Sequence, residues 1–306
     1  MADVPPESSP SSERAAAAPT TDAASSGAVV VARPIGVPTA RRPWLFDMWS
    51  PGRPRPLDLG DLPRSSAAWD LVLVLVAGLV APLGLSFLFT LFGGRPPLEG
   101  GDGAAWLLIA DKWVDLILVL SLTAYLVYRG GVRPAAFGLQ LDRFDRQLAW
   151  VPVGVAGVYA VLLVTTLVIG IFVLLFRDVQ TDLQNRAEFL SALPVNDLGA
   201  TLLLMAIVAA HEELLFRGLL IPYLRRIGCG WAGAVVLSAA IFGVLHITQG
   251  WIGAAQVTLL GVAFGVVFVL SRSLVPVILT HFIFNVIQTQ IARVLMRWLP
   301  DVLPPA

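Results

Sequence analysis

Long apolar stretches, each close to the length needed to cross a bilayer, follow one another from residue 67 almost to the end of the chain. They predict seven helices, over residues 68–93, 104–128, 149–176, 198–224, 231–248, 251–271 and 274–298. The fifth and sixth are short and are joined by a few residues around Gly250, which predicts a tight hairpin. Glycines recur inside the last helices, as expected where membrane helices pack closely: Gly233, Gly243, Gly261 and Gly265. The pattern therefore predicts an all-α, polytopic membrane bundle of about seven to eight transmembrane helices.

The composition agrees with a fold whose solvent is lipid. Apolar residues make up 57% of the chain and charged residues only 14%, against about 25% charged in a typical soluble domain. The 21 basic and 21 acidic residues balance, so nothing draws the chain to nucleic acid. The single cysteine, Cys229, excludes an intrachain disulfide and a multi-cysteine metal site. Soluble enzymes, nucleic-acid-binding proteins and secreted disulfide scaffolds are excluded.

Residues 1–66 differ from the rest of the chain. They are rich in Ala, Pro and Ser, which predicts a disordered tail. Within it, Trp44, Phe46 and Trp49 lie among arginines and suit an anchor at the level of the lipid headgroups, although a plain linker fits equally well. We divide the chain into this tail, N-terminal transmembrane helices over 67–195, and a core over 196–298 that holds the candidate chemistry.

The distribution of arginines predicts the orientation. The tail and the connections after the second and fourth helices each hold two or more arginines, and Arg272 follows the sixth, while the alternate connections carry far fewer in total. Basic loops stay in the cytoplasm, so we expect a multi-pass protein of the cell (inner or plasma) membrane with a cytoplasmic N-terminus. Arg293 and Arg297 then fall on the opposite side, so either the last helix ends at the membrane surface or the count of spans is wrong by one.

The candidate chemistry begins with two adjacent glutamates in the fourth predicted helix. Glu213 and Arg217 are four residues apart, so they share a helix face and can form a salt bridge. Glu212 points about 100° away around the helix and remains available as a general base. A Glu–Arg pair in a membrane helix can also be purely structural.

Two further motifs place polar groups at helical spacing. Phe242 and His246 are four apart in the fifth predicted helix, and His281 and Asn285 are four apart in the seventh. His281 and Asn285 can together stabilise an oxyanion, and His246 can help to deprotonate a water held by Glu212. Ionisable groups at membrane depth cost about 3 kcal/mol each and are functional candidates by default. These residues could instead have purely structural roles: each histidine could bond a backbone carbonyl, and the asparagine could join two helices.

Other polar residues of the helices have weaker claims. The third histidine, His211, precedes the glutamates and has no assigned role. The segment HEELL resembles the zinc-protease motif HExxH but has Leu215 in its last position. The second helix carries three charged residues that can neutralise one another, Asp111, Lys112 and Asp115. The less favoured, functional alternative is that Asp111 or Asp115 joins the cavity.

The three motifs resemble those of a known family. EExxxR (Glu212, Glu213, Arg217), FxxxH (Phe242, His246) and HxxxN (His281, Asn285) are similar in type and order to those of the CAAX protease and bacteriocin-processing family of intramembrane endopeptidases. That family includes type II CAAX prenyl endopeptidases and bacterial abortive-infection proteins. The resemblance covers roughly residues 196–290.

The resemblance implies a helical core whose catalytic cavity opens to the cytoplasm, and cleavage of a membrane-associated peptide or protein. It implies that Glu212 and His246 activate water, that His281 and Asn285 stabilise the oxyanion, and that Glu213 and Arg217 support the site. Members were long listed as metalloproteases, and Glu212, His246 and His281 could hold zinc. We favour a site without metal, because Asn285 is a poor zinc ligand and HExxH is absent.

Two other classes of function remain open on the sequence. The carboxylate and histidines could form a proton or cation relay in a transporter, although no repeated halves are visible. The chain could also be a non-catalytic membrane scaffold or immunity protein that binds a peptide without cutting it. The identity of the substrate is not encoded in these motifs.

Overall fold

The structure is a computed structural model that describes residues 57–84, 102–175 and 193–298. The predicted disordered tail covers residues 1–66, of which residues 1–56, with the aromatic anchor, lie outside the described residues. The described part is helical and contains no strand. The prediction of an all-α architecture is confirmed.

Seven helices follow the predicted order, with shifts of up to five residues at the ends that can be compared, while the predicted end of the first helix at residue 93 lies outside the described residues. They are α1 (Arg64–Gly84), α2 (Asp102–Gly130), α3 (Phe144–Leu175), α4 (Leu198–Ile227), α5 (Trp231–Val244), α6 (Trp251–Ser271) and α7 (Leu274–Trp298). A single 3-10 turn, Ile247–Gln249, joins α5 to α6, so the predicted tight hairpin is confirmed.

Five of these helices are long and apolar enough to cross a membrane, namely α1, α3, α4, α6 and α7. The 14 residues of α5 are too few for a full span at 1.5 Å per residue. The 29 residues of α2 are long enough for a span, but this helix is not among the five. A count of seven to eight transmembrane helices is therefore not confirmed.

The middle of α4 lies at the centre of the bundle. Helix α2 and helix α7 pack on its first half, while α1 packs on its last turns. Between them the helix widens into π-helical geometry over Glu213–Leu220, and all eight of those residues are buried. Such π segments are frequent at functional sites, because the widened turn re-aims side chains that an α-helix would hold elsewhere. Here the widening begins at the second glutamate of the candidate motif.

The four segments predicted to be cytoplasmic come together at one end of the bundle. The loop after α2 joins the turn between α6 and α7, because Leu274 N–H donates to the Gly138 carbonyl over 3.0 Å. It also meets the segment before α1, where Leu57 N–H donates to the Ala135 carbonyl over 3.3 Å. The Arg226 side chain, after the π segment of α4, donates to the Leu62 carbonyl. The fold is therefore compatible with the prediction that the arginines of these segments lie on one side of a membrane.

Helices α5 and α6 pack closely at glycine. A methyl group on Gly243 would lie 2.8 Å from the Ala254 carbonyl oxygen and would overlap the Thr258 hydroxyl. Gly261 and Gly265 make similarly close approaches to α5, whereas a methyl group on Gly233 would meet no atom within 4 Å. The predicted packing role is therefore confirmed for three of the four glycines and is wrong for Gly233.

Gly243→Ala is expected to lower the free energy of unfolding by about 1–3 kcal/mol, because α5 and α6 must move apart to admit the methyl group. Gly233→Ala is the matched control and should be neutral or slightly stabilising, since alanine is the better helix former. Thermal unfolding of the purified variants in one detergent measures both. Equal melting temperatures would contradict the close approach seen at Gly243.

Candidate active site

His281 of α7 lies between the two glutamates of α4. Its Nδ1 is 2.7 Å from Glu213 Oε1, and its Nε2 is 3.7 Å from Glu212 Oε2. Because the two carboxylates meet opposite edges of one imidazole, each nitrogen of His281 has its own anionic neighbour. Residues 68 positions apart in the chain thus form one group.

Arg217 completes the buried side of this group. Its guanidinium donates to Glu213 Oε1 over 2.8 Å, so the predicted salt bridge is confirmed. It also donates to the Gly261 carbonyl of α6 over 3.0 Å. The side chains of Glu213 and Arg217 are 0% and 1% exposed, so neither ion can rely on water for solvation.

Aromatic rings enclose the ionic group. The guanidinium of Arg217 lies 4.8 Å from the ring centre of Phe242 and 5.3 Å from that of Phe264. The Phe264 ring also stacks on the imidazole of His281 with a centroid separation of 4.7 Å. These rings stabilise the cation through their π faces and keep water from the salt bridge. The sequence did not indicate Phe264 or the acceptor role of the Gly261 carbonyl, because a phenylalanine or glycine in an apolar stretch gives no signal of a polar neighbour.

Glu212 lies at the accessible edge of the group. Its side chain is 18% exposed, whereas that of His281 is 5% exposed. The prediction that Glu212 remains outside the Glu213–Arg217 salt bridge agrees with the ion pairs of the described residues. Its carboxylate nevertheless approaches the same histidine as Glu213, which the helical spacing alone did not indicate. Glu212 is thus the carboxylate that a water or substrate can reach.

The sequence predicted that His246 lies inside the fifth helix. In the structure it lies outside that helix. Helix α5 ends at Val244, and His246 precedes the 3-10 turn that leads to α6. The reason is local: Gly250 adopts a positive φ of 86°, and the chain must turn before α6 begins at Trp251. His246 remains near the group, because the Phe242 ring centre is 4.5 Å from the His246 ring and 6.4 Å from the His281 ring.

The polar contacts of His246 and Asn285 leave functional atoms available. His246 uses Nδ1 against the Phe242 carbonyl at 2.8 Å, so its Nε2 is the nitrogen that points elsewhere. Asn285 lies one helical turn after His281 and is half-buried. Its backbone carbonyl accepts a hydrogen bond from the Thr289 hydroxyl, while its side-chain amide bonds no other described residue.

A second polar group adjoins the first across α2 and α4. Lys112 pairs with Asp111 at 2.9 Å and with Asp115 at 2.7 Å, so the predicted mutual neutralisation is confirmed. Both Glu212 and this charged trio lie close enough to His211 to interact with it electrostatically. The buried Nε2 of His211 has no hydrogen-bond partner among the described residues.

The zinc set considered from the sequence does not assemble in the described ranges. No three His, Cys, Asp or Glu side chains there are grouped closely enough to hold a metal ion. His281 directs Nδ1 at Glu213, and His246 directs Nδ1 at a backbone carbonyl. Both contacts leave Nε2 available, as in metal-bound histidines, so the set fails on the spacing of Glu212, His246 and His281 and not on the chemistry of these side chains.

The segment that contains this group is similar to a known protein family. Residues 194–287 match the family model of the type II CAAX prenyl endopeptidases described as Rce1-like. The resemblance inferred from the three motifs is thereby confirmed for this Rce1-like segment, which spans just under a third of the chain. The relationship supports a membrane-embedded peptidase. No curated protein and no solved structure matches the chain significantly.

All the candidate residues lie inside the Rce1-like segment, from Glu212 on α4 to Asn285 on α7. Helices α2 and α3 lie outside it, although α2 contributes the charged trio beside His211. The match therefore covers the helices that build the ionic group. The chain before residue 194 contributes helices that pack around them.

Proposed function

We propose that the protein is an intramembrane endopeptidase that hydrolyses a peptide bond of a membrane-associated peptide or protein with a glutamate-activated water. The observation that carries this proposal is the arrangement at His281. One carboxylate, Glu213, is buried and paired, while the other, Glu212, is reachable and lies 3.7 Å from His281 Nε2. A purely structural ion pair needs only the first of these carboxylates.

Glu212 acts as the general base in this proposal. It takes a proton from a water, and the resulting hydroxide attacks the carbonyl carbon of the scissile peptide bond. His246, whose ring contacts that of Phe242, orients that water through Nε2. When the tetrahedral intermediate collapses, the C–N bond breaks and Glu212 returns the proton to the leaving amine.

His281 and Asn285 stabilise the oxyanion. The Nδ1 of His281 faces the Glu213 carboxylate, so in this proposal Nδ1 donates to Glu213 and a second proton on Nε2 lets His281 donate to the substrate oxygen. An imidazolium between Glu212 and Glu213, with Arg217 behind, balances two negative charges with two positive ones. Glu213 and Arg217 thus hold His281 in place and act as positioning residues rather than catalytic ones.

The same proposal includes the setting of the enzyme. We infer a multi-pass protein of the cell (inner or plasma) membrane with a cytoplasmic N-terminus, because the arginine-rich segments share one end of the bundle. Its partners are the lipid bilayer and a membrane-associated substrate, not nucleic acid. No metal takes part in the mechanism as we write it.

Cleavage of a reporter peptide library delivered in liposomes tests the proposal. Purified protein should release products that mass spectrometry can identify, and a strong chelator should leave the rate unchanged. Chelator inhibition that zinc reverses would contradict the metal-free mechanism but retain the peptidase. Proton-coupled flux without cleavage would instead support a transporter, and peptide capture without cleavage would support a scaffold.

Asn285→Ala is expected to lower kcat by about 10²–10³, the usual loss for one oxyanion donor, with little change in KM. The melting temperature should stay near that of the wild type, because the amide bonds no other described residue. Ile287→Ala, a 38% exposed side chain on the same helix, is the control. An unchanged kcat in Asn285→Ala would remove Asn285 from the mechanism.

A further inference from the structure

We propose that a basic cleft at the arginine-rich end of the bundle binds the phosphate headgroup of an anionic membrane lipid. The cleft has a volume of about 360 Å³ and opens where α1 and α5 begin and where α4 and α6 end. Four arginines face one aspartate in its lining, beside an indole ring: Asp58, Arg64, Arg225, Arg226, Trp231 and Arg272. This basic cleft is a property of the chain beyond the peptidase activity.

Three of the four arginines of the basic cleft have no acidic partner in the described part of the protein. They are Arg64, Arg225 and Arg226. Arg225 donates to the Cys229 carbonyl over 2.8 Å, but its buried Nε has no acceptor in those ranges. An unsatisfied guanidinium N–H and a surplus of cations are what a bound anion would compensate.

The position of Arg64 supports the same conclusion. Arg64 is the first residue of α1, where the positive end of the helix dipole repels a cation. A guanidinium placed there opposes the local field unless an anion binds nearby. The N-terminus of α5 begins beside the same cleft at Trp231 and adds unpaired backbone N–H groups.

The surroundings of the cleft favour a lipid over a free anion. The cleft lies at the ends of helices long and apolar enough to cross a membrane, among them α1, α4 and α6. Exposed apolar side chains such as Trp69 on α1, which is 72% exposed, show that the outer surface of the bundle beyond the cleft suits acyl chains. A phosphate bound by several guanidinium forks with apolar surface below it fits an anionic phospholipid.

The basic cleft is separate from the ionic group on α4. Arg225 lies thirteen residues after Glu212 on the same helix, which corresponds to about 20 Å along its axis. Lipid binding can therefore be measured independently of peptide hydrolysis, and the failure of one proposal would leave the other standing.

Native mass spectrometry of the full-length, delipidated protein tests the proposal with two phospholipids of equal chain length. Phosphatidylglycerol should bind at least tenfold more tightly than phosphatidylcholine. Arg64→Gln should weaken phosphatidylglycerol binding about fivefold, and Arg64→Gln with Arg226→Gln about thirtyfold, on the usual contribution of one basic residue near an anionic lipid. Arg133→Gln removes an exposed arginine from the same end of the bundle but outside the cleft, and should bind as the wild type does.

Two results would overturn the proposal. Equal binding of both lipids, or an equal loss in Arg133→Gln, would show that the arginines act only as a diffuse charge. A second arm replaces lipid with inorganic phosphate and follows the melting temperature. If phosphate alone stabilises the wild type as much as phosphatidylglycerol does, the cleft binds a free anion and not a lipid headgroup.

Discussion

Glu212→Gln is expected to lower kcat for peptide hydrolysis by about 10²–10⁴, the range for the loss of a general base. The amide keeps the shape of the side chain but cannot accept the proton of water. The fold should survive, because Glu212 is 18% exposed and its only ion-pair contact in the described part is the 3.7 Å approach to His281. The measurement is single-turnover cleavage of a reporter peptide beside the melting temperature of the same preparation.

The control for this variant is Asp61→Asn, which removes an exposed carboxylate from the turn before α1. It should cleave as the wild type does. Peptide binding to Glu212→Gln should also be retained, since the mutation changes chemistry and not the cavity. Cleavage by Glu212→Gln at the rate of the wild type would contradict the assignment of the general base. Loss of proton flux in place of loss of cleavage would support the transporter reading.

Arg217→Met is expected to lower the free energy of unfolding by about 3–5 kcal/mol. Removal of the guanidinium takes the Arg217 salt bridge from the 0% exposed carboxylate of Glu213, which keeps only His281, and leaves the Gly261 carbonyl without its donor. Methionine has a similar length and no charge, so the loss reflects the ionic contacts more than a cavity. Unfolding of the purified variant in detergent, followed by heat or denaturant, measures the effect.

Arg133→Met is the matched control, because it is the same substitution at an exposed arginine in the loop after α2. Its stability should stay within about 0.5 kcal/mol of the wild type. The double variant Arg217→Met with Glu213→Gln should be more stable than Arg217→Met alone, since it also removes the buried negative charge. If the two arginine variants lose equal stability, the buried ion pair is not a major support of the fold.

The helices could be predicted closely, because their signal is local. Continuous apolar stretches between turn residues define α3, α6 and α7 to within a few residues. Helix α5 is the exception, since its predicted end at residue 248 ignored the turn at Gly250 and so placed His246 in a helix. A run of apolar residues does not show where a chain turns if the turn is formed by one glycine with positive φ.

The sequence also does not show which glycines contact a neighbouring helix. Four glycines had equal claims from the sequence, yet only Gly243, Gly261 and Gly265 approach a neighbouring helix closely. Gly233 faces open space. The sequence records which residues lack a side chain, and the direction of each glycine depends on how α5 and α6 are set against each other.

The sequence by itself determined the helical membrane architecture, the Glu213–Arg217 salt bridge and the set of residues that could react. These follow from hydropathy and from spacing within one helix, which are properties of neighbouring residues. Only the tertiary structure decided that His281 bridges both glutamates, that Phe264 stacks on it and that four arginines line one cleft. Those contacts join helices far apart in the chain, and the π-helical turn at Glu213 changes the side-chain directions that α-helical spacing assumes.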